Sequence, residues 1–539
     1  MNQKYYIIEE KLNSNDLNEN RINNRLNLRK KNYNKLLTNK RMLISEIETL
    51  FPHHSSQESE NDLFNNDLLK ILSNEQILKL INDFNEKDLY AKMTELFQCL
   101  FSLDFNMNQN LLDTIFFMNN NKIYIFLVEL IEQIINKNNI NNSSQLIFKT
   151  LQILFKYSSN LEKNSELIDY INYKLNTFLK ILSFIEDNHY TIKRTDIFLY
   201  TSIILYNLSI ESHILLNNIK KSKIQEKMLS MINNRKNKLN INERNIFYIL
   251  NFFSLTLLDQ DVTNYKENYI QDIFGLLNEK GITSSSKRVQ DLSLYCLCNI
   301  TSLFDSENFY KKAVYSGIFN NIFKYIKTSD NINSIIISLK IVNNILTEKN
   351  IDLSYFIKSD LLFGLMLIII NYENNKTNIN ADLLHHIMCI FLYLVKSPLF
   401  YYLIDKNRKF MTNIIYLIGK ISNQVTHEIL TFIKDVINES YSISQTLILN
   451  NKELISNLIS LVRDECHNVK IKTMALVILG KIIEYHHENK IKENEEDRQI
   501  NEYEIQLKEI IELNLLNQEN INETLKKTFI IILSMINEE

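Results

Sequence analysis

Six glycines and two prolines in 539 residues are too few to punctuate anything but helices. Parallel-sheet enzyme folds need glycine at turns and phosphate loops, and many-stranded β folds need both residues to end their strands. Helices need neither in their interiors. They are joined here by short polar turns rich in asparagine, some of it in runs such as Asn119, Asn120 and Asn121. This asparagine abundance reads mostly as compositional bias, so no single Asn carries much weight alone. With 45% apolar and 23% charged residues, the chain can bury a sizeable core.

The apolar residues recur at helical spacing almost throughout, as in "LYAKMTELFQCLFSL", "KIYIFLVELIEQII" and "LIFKTLQILFKYS", and no stretch of strand-like alternation interrupts them. The longest apolar run, Leu361–Ile370 between Asp360 and Asn371, is too short to span a bilayer and predicts a buried helix. The start, "MNQKYYIIEEK", is too polar and acidic for a signal peptide, so a soluble intracellular chain is expected. Cys99, Cys296, Cys298, Cys389 and Cys466 are scattered without a disulfide framework, which suits a reducing compartment. The histidine pairs His53-His54, His385-His386 and His486-His487 point about 100° apart on a helix. No Cys, His or Asp partner recurs at ligand spacing, so neither a metal nor another cofactor is expected. There is also no P-loop, nucleophile elbow, H-E-x-x-H or dinucleotide fingerprint, and the chain does not read as an enzyme.

Charge is unevenly placed. "RINNRLNLRKKNYNKLLTNKR", residues 21–41, carries eight basic side chains and no acidic one. Removing its +8 from the formal net charge of −3 leaves −11 for the rest of the chain. Arg21, Arg25 and Arg29 fall at i, i+4 and i+8, one basic stripe on a helix, with Ile22, Leu26, Tyr33 and Leu37 forming an apolar stripe beside it. "PHHSSQESEN" (52–61) reads as a linker. The predicted organisation is therefore a basic helical arm and linker over residues 1–60, then a helical body over 61–539. By charge alone the arm could bind nucleic acid, an acidic partner or its own body. Its single aromatic, Tyr33, offers little for base stacking, which argues against nucleic acid.

The body repeats. Phe247, Asn251 and Ser254 form an aromatic-x3-Asn-x2-Ser pattern, and so do Tyr295, Asn299 and Ser302. Lys340, Asn344 and Thr347 make a cationic variant, and Ile203, Asn207 and Glu211 an earlier one with its polar group one place later. The Asn positions are 44, 48 and 45 residues apart, the period of armadillo or HEAT units of two or three helices. Each such unit leaves an apolar face that only its neighbour covers. The expected fold is an all-α, armadillo/HEAT-like right-handed α-solenoid of about ten repeats.

Residues at i, i+4 and i+7 share one helix stripe, so triplets on successive repeats would form a ladder. An Asn amide has a donor and an acceptor and can hold an extended peptide's N–H and C=O together. An aromatic one turn earlier would wall in a Lys or Arg stem, and Ser or Thr would add a hydrogen bond.

With these features the chain resembles the importin-α family. Arg21-Ile22, Leu28-Arg29-Lys30, Leu36-Leu37 and Lys40-Arg41 fall where that family's importin-β-binding segment has its Arg-rich start, Leu-Arg-Lys and terminal Lys-Arg cluster. "SLKIVNNILTEKN" (338–350) is similar to the family's sixth repeat, and "KTNIN" (376–380) follows as it does ahead of the seventh. The resemblance implies an importin-β-binding or autoinhibitory arm comprising Arg21, Arg25, Leu28, Arg29, Lys30, Lys31, Leu37, Lys40 and Arg41. It also implies a cargo-peptide ladder of Asn207, Glu211, Phe247, Asn251, Tyr295, Asn299, Lys340, Asn344 and Thr347. The sequence has no tryptophan, so the family's Trp-Asn rungs become Ile203/Asn207 and Phe247/Asn251, and the seventh-repeat rung becomes His385 and Cys389. A nuclear-import adaptor moving between cytoplasm and nucleus is implied, with an export receptor meeting the C-terminal repeats. The alternative is an armadillo scaffold without a transport role, for instance in a cytoskeletal assembly.

Overall fold

The computed structural model describes residues from Lys122 to Asn537, apart from several connections between helices. The arm residues Arg21 to Arg41, and the boundary expected near residue 60, lie outside the described residues. The chain divides into two compact units, one reaching Phe304 and including Tyr315–Ile318, the other comprising Asp305–Val314 and Phe319 onward.

In the first unit, α1 (Lys122–Asn136) and α2 (Ser143–Asn160) precede three sets of three helices. The first set is α3 (Ser165–Tyr173), α4 (Leu175–Asp187) and α5 (Arg194–Glu211). The second is α6 (His213–Lys221), α7 (Ile224–Asn233) and α8 (Glu243–Thr256). The third is α9 (Glu267–Leu276), continued by a π-helical stretch (Leu277–Ile282), then α10 (Lys287–Leu303). The long helices pack in sequence, α2 on α5, α5 on α8 and α8 on α10, while α1, α4, α7 and α9 form a second row. This is the armadillo arrangement: two shorter helical segments and a long helix, repeated.

The second unit continues the pattern by itself. It holds α11 (Glu307–Tyr315), α12 (Ile318–Thr328), α13 (Ile332–Leu346), α14 (Leu353–Ile357), α15 (Asp360–Ile370) and α16 (Ala381–Leu394). Then come α17 (Pro398–Lys406), α18 (Arg408–Tyr416), α19 (Asn423–Asn438), α20 (Lys452–Arg463), α21 (Val469–Glu488), α22 (Glu495–Asn517) and α23 (Glu523–Asn537). Here α13, α16, α19, α21 and α23 form the row of long helices, and α15, α18, α20 and α22 a parallel row. No strand occurs among the described residues.

Four of the scarce residues sit where a helical chain needs them. Pro398 occupies the first turn of α17, where its missing N–H costs nothing. Gly317 and Gly419 adopt left-handed φ angles of 71° and 73° at turns. Gly281 lies where a β-carbon would collide with the Ser293 side chain of α10, so it permits close packing of the π-helical stretch.

Asparagine does more than composition suggested. Asn242, Asn380 and Asn451 cap the N-termini of α8, α16 and α20 by accepting from the backbone N–H groups of Asn245, Asp382 and Leu454. Other Asn amides tie one repeat to the next. Asn413 on α18, 2% exposed, donates to the carbonyls of Ile369 (3.1 Å) and Ile370 (2.8 Å), the last residues of α15. Forty-four residues on, Asn457 of α20 donates to Ile415 at 3.3 Å near the end of α18. Helix ends leave carbonyls without intrahelical partners, and these amides add side-chain bonds to carbonyls there. Substituting Asn413→Ala removes both bonds from a dry site and is expected to lower stability by about 1–3 kcal/mol, measured as a shift in the denaturation midpoint. A shift no larger than that of an exposed control would show the clamp to be idle.

The apolar run Leu361–Ile370 is a helix, but only one face is buried. Leu361, Leu362, Leu365, Met366 and Ile369 face the core, whereas Phe363 is 58% and Leu367 37% exposed. A helix packed on one side buries about half its circumference, and residues two places from the buried stripe face outward whatever their chemistry. No helix among the described residues is long and apolar enough to cross a membrane.

Candidate functional site

The four Asn residues singled out by the period all lie on long helices: Asn207 on α5, Asn251 on α8, Asn299 on α10 and Asn344 on α13. All four are buried, at 0%, 5%, 3% and 6% exposure. Buried amides need hydrogen bonds, and those of Asn207 and Asn251 find partners inside the protein. Asn207 Nδ2 lies 3.5 Å from Ser158 Oγ on α2, the neighbouring long helix. Asn251 Nδ2 donates back to the Phe247 carbonyl at 3.0 Å. The serines of the triplets also turn inward: Ser254 Oγ donates to the Asn251 carbonyl at 2.7 Å and Ser302 Oγ to that of Asn299 at 2.8 Å. The hydroxyl expected to reach a ligand is thus committed as a donor to its own helix.

The residues one turn earlier are more open. Phe247, Tyr295 and Lys340 are each half-buried, whereas Ile203 is fully buried. The Phe247 ring stands edge-on to Tyr248, with centroids 5.4 Å apart. Asn207 therefore presents no surface to a ligand, while the later rungs present a ring or an ammonium stem over a buried amide. Glu211 ends α5, and its side chain lies outside the described residues, as does Thr347.

The second unit contains polar contacts that one-dimensional reading missed. Asn343, the neighbour of Asn344, reaches the next long helix, donating from Nδ2 to the His386 carbonyl at 3.0 Å and lying 3.3 Å from His386 Nδ1. Beside it, His385 Nδ1 on α16 is 2.5 Å from Glu428 Oε1 on α19. The Cys389 thiol lies one turn along α16, 3.7 Å from His385 Nδ1 and 3.9 Å from Nε2. Gln424 Nε2 completes the group, 3.1 Å from His385 Nδ1 and 3.3 Å from Glu428 Oε1.

Burial dominates the electrostatics of this group. It raises the Glu428 carboxyl above the usual range, opposed by the hydrogen bond from His385. It pushes the Cys389 thiol well up, with the Glu428 charge adding to the effect. His386 is held well below the ordinary imidazole range by burial, and the charges of His385 and Lys340 act in the same direction. The sequence did hold a signal, His385-x3-Cys389, which puts both side chains on one helix face. Its third member, Glu428, is supplied by the next repeat.

No family model matches the sequence, and no curated protein sequence matches it. Among solved structures, an engineered protein from the Northeast Structural Genomics Consortium is 12% identical with a TM-score of 0.49, covering 86% of this chain and 99% of its own. A computationally designed armadillo repeat protein for modular peptide recognition is 13% identical with a TM-score of 0.37, covering 50% of this chain and 100% of its own. A designed armadillo repeat protein in complex with the peptide (KR)4 is 16% identical with a TM-score of 0.36, covering 50% of this chain and 99% of its own.

Proposed function

We propose that this chain is a peptide-binding scaffold that holds an extended segment of a protein partner along its long helices. One observation carries the reading: in the first unit the packed long helices α8 and α10 place Asn251 and Asn299 at corresponding positions, each one turn after a half-buried Phe247 or Tyr295, and α13 of the second unit carries Lys340 and Asn344 with the same spacing. A row of walls one repeat apart suits an extended chain, whose side chains recur regularly along its length. The ligand's stems pack on the Phe and Tyr rings, and a cationic head gains cation–π attraction there.

The finer form of the proposal is a nuclear-import adaptor similar to importin-α, working between cytoplasm and nucleus. Its support is the basic arm with Arg21, Arg25, Leu28, Arg29, Lys30, Lys31, Leu37, Lys40 and Arg41, which resembles an importin-β-binding segment. An importin-β-like receptor would take the arm and an export receptor the C-terminal repeats. A second reading, a scaffold without transport, is favoured by the burial of Asn207 and by a sequence without tryptophan. Neither reading gives the chain an enzymatic role.

The test is fluorescence anisotropy with a labelled peptide of alternating Lys and Arg and an acidic control peptide. The basic peptide is expected to bind, more weakly as salt rises. The double variant Phe247→Ala/Tyr295→Ala is expected to weaken it about tenfold, the loss of two contacts of about 0.5–2 kcal/mol each. Circular dichroism should show unchanged helix content, since both side chains are half-buried. Equal affinity for both peptides, or a double variant that binds as the parent does, would remove the ladder from the proposal.

A further inference from the structure

We propose that His385, Cys389 and Glu428 form a binding site for a single divalent cation of the zinc class, held between α16 and α19. One ligand atom from each of these residues lies within 4.8 Å of the others. The donor set is mixed: a thiolate sulfur, an imidazole nitrogen and a carboxylate oxygen. That combination suits borderline-soft ions such as Zn²⁺ or Co²⁺, and not Mg²⁺ or Ca²⁺, which take oxygen alone.

The spacing of the two donors on α16 fits as it stands, and the Glu428 carboxylate, hydrogen-bonded to His385 at 2.5 Å, swings away from the ring to take its place on the ion. Tetrahedral zinc has bonds of about 2.3 Å to sulfur and about 2.0–2.1 Å to nitrogen, which puts the two donors about 3.6 Å apart. Cys389 Sγ and the His385 ring nitrogens are 3.7 and 3.9 Å apart. His385 and Cys389 hold that distance because they are one helical turn apart, and packing of α16 on α19 brings Glu428 to them.

A second observation points to a cation ligand. Glu428 is only 9% exposed, and its Oε2 has no hydrogen-bond partner among the described residues. A carboxylate oxygen so placed loses its hydration and gains nothing in return. A divalent ion at the centre of the group supplies the compensation. As it enters, the thiol gives its proton to solvent and the His385–Glu428 hydrogen bond breaks; the imidazole stays neutral with its N–H on the nitrogen that does not bind the ion, and the thiolate, imidazole and carboxylate form three metal–ligand bonds. The Gln424 amide, already within hydrogen-bond distance of both side chains, stays as an outer support. Three protein ligands leave a fourth position for water.

The site is independent of the peptide ladder, so its failure would leave that proposal standing. The experiment is a cobalt titration of the full chain after chelator treatment, followed by absorption spectroscopy. One equivalent of Co²⁺ is expected to produce a thiolate-to-cobalt charge-transfer band, which Zn²⁺ then bleaches. Cys389→Ser should abolish the band. His385→Ala and Glu428→Gln should each weaken cobalt binding at least tenfold, while Cys466→Ser, which alters an exposed thiol elsewhere, should change nothing. Circular dichroism of each variant confirms that it is folded. No band at stoichiometric cobalt would overturn the proposal. So would a band retained by Cys389→Ser, or one equally strong in both His385→Ala and Glu428→Gln.

Discussion

Replacing Phe391 by alanine is expected to destabilise the second unit by about 3–5 kcal/mol. Phe391 of α16 is fully buried and meets Phe400 of α17 with ring centroids 5.9 Å apart, Phe410 of α18 at 5.2 Å and Phe432 of α19 at 6.2 Å. The Phe391 and Phe410 planes cross at 84°, an edge-to-face geometry that adds about 0.5–1.5 kcal/mol beyond burial. One ring thus comes from each of four consecutive helices, and the cluster joins the long helix of one repeat to all three helices of the next. In a repeat protein, stability is close to a sum of repeat and nearest-neighbour terms. Truncating Phe391 weakens both at once, within a repeat's core and across its interface. Denaturant unfolding followed by circular dichroism should show the affected transition moving to lower denaturant. Phe363→Ala, at a 58% exposed position in the same unit, is the control and should move it by less than about 0.5 kcal/mol. Similar small shifts for both would mean that the aromatic cluster does not join the repeats.

How much of this was legible in the sequence depends on range. Local chemistry was readable. A chain nearly free of glycine and proline is helical, and a polar residue recurring every 44 to 48 positions marks a repeat. The stretches 122–135 and 146–158 are helices as their spacing indicated. Which face of a helix is covered was less readable, because apolar residues can outnumber the positions a neighbour covers; Phe363 and Leu367 show this. Contacts between repeats were not readable. Asn413 bonds a helix end 43 and 44 residues earlier, and Glu428 meets a histidine 43 residues earlier. Such pairs emerge only once the register of one repeat on the next is fixed, and the register is set by packing across the whole interface. Asn343 and Asn344 make the point most directly. The pattern selected Asn344, and it gave no sign that its neighbour, about 100° round the helix, bonds α16.

Deleting residues 1–50 is expected to abolish capture by an importin-β-like receptor. The segment 21–41 carries eight cations and no anion, with Arg21, Arg25 and Arg29 on one stripe and Ile22, Leu26, Tyr33 and Leu37 on the next. A helix so patterned can bury its apolar stripe in an acidic groove while its arginines pair with carboxylates, and affinity built this way falls as salt rises. Loss of the arm removes every one of these contacts together. A nanomolar complex should weaken beyond the micromolar range, a change of about 4 kcal/mol or more. The same truncation probes self-binding. An arm tethered to its own long helices competes with peptide at high effective concentration, so its removal should tighten binding of the alternating Lys-Arg peptide by about tenfold or more. The two readouts separate the two readings of function. Loss of receptor capture identifies an adaptor, and tightened peptide binding identifies a groove that the arm regulates. A nanomolar receptor complex that survives the deletion would sink the importin-α reading, leaving the scaffold and its metal site to be judged on their own tests.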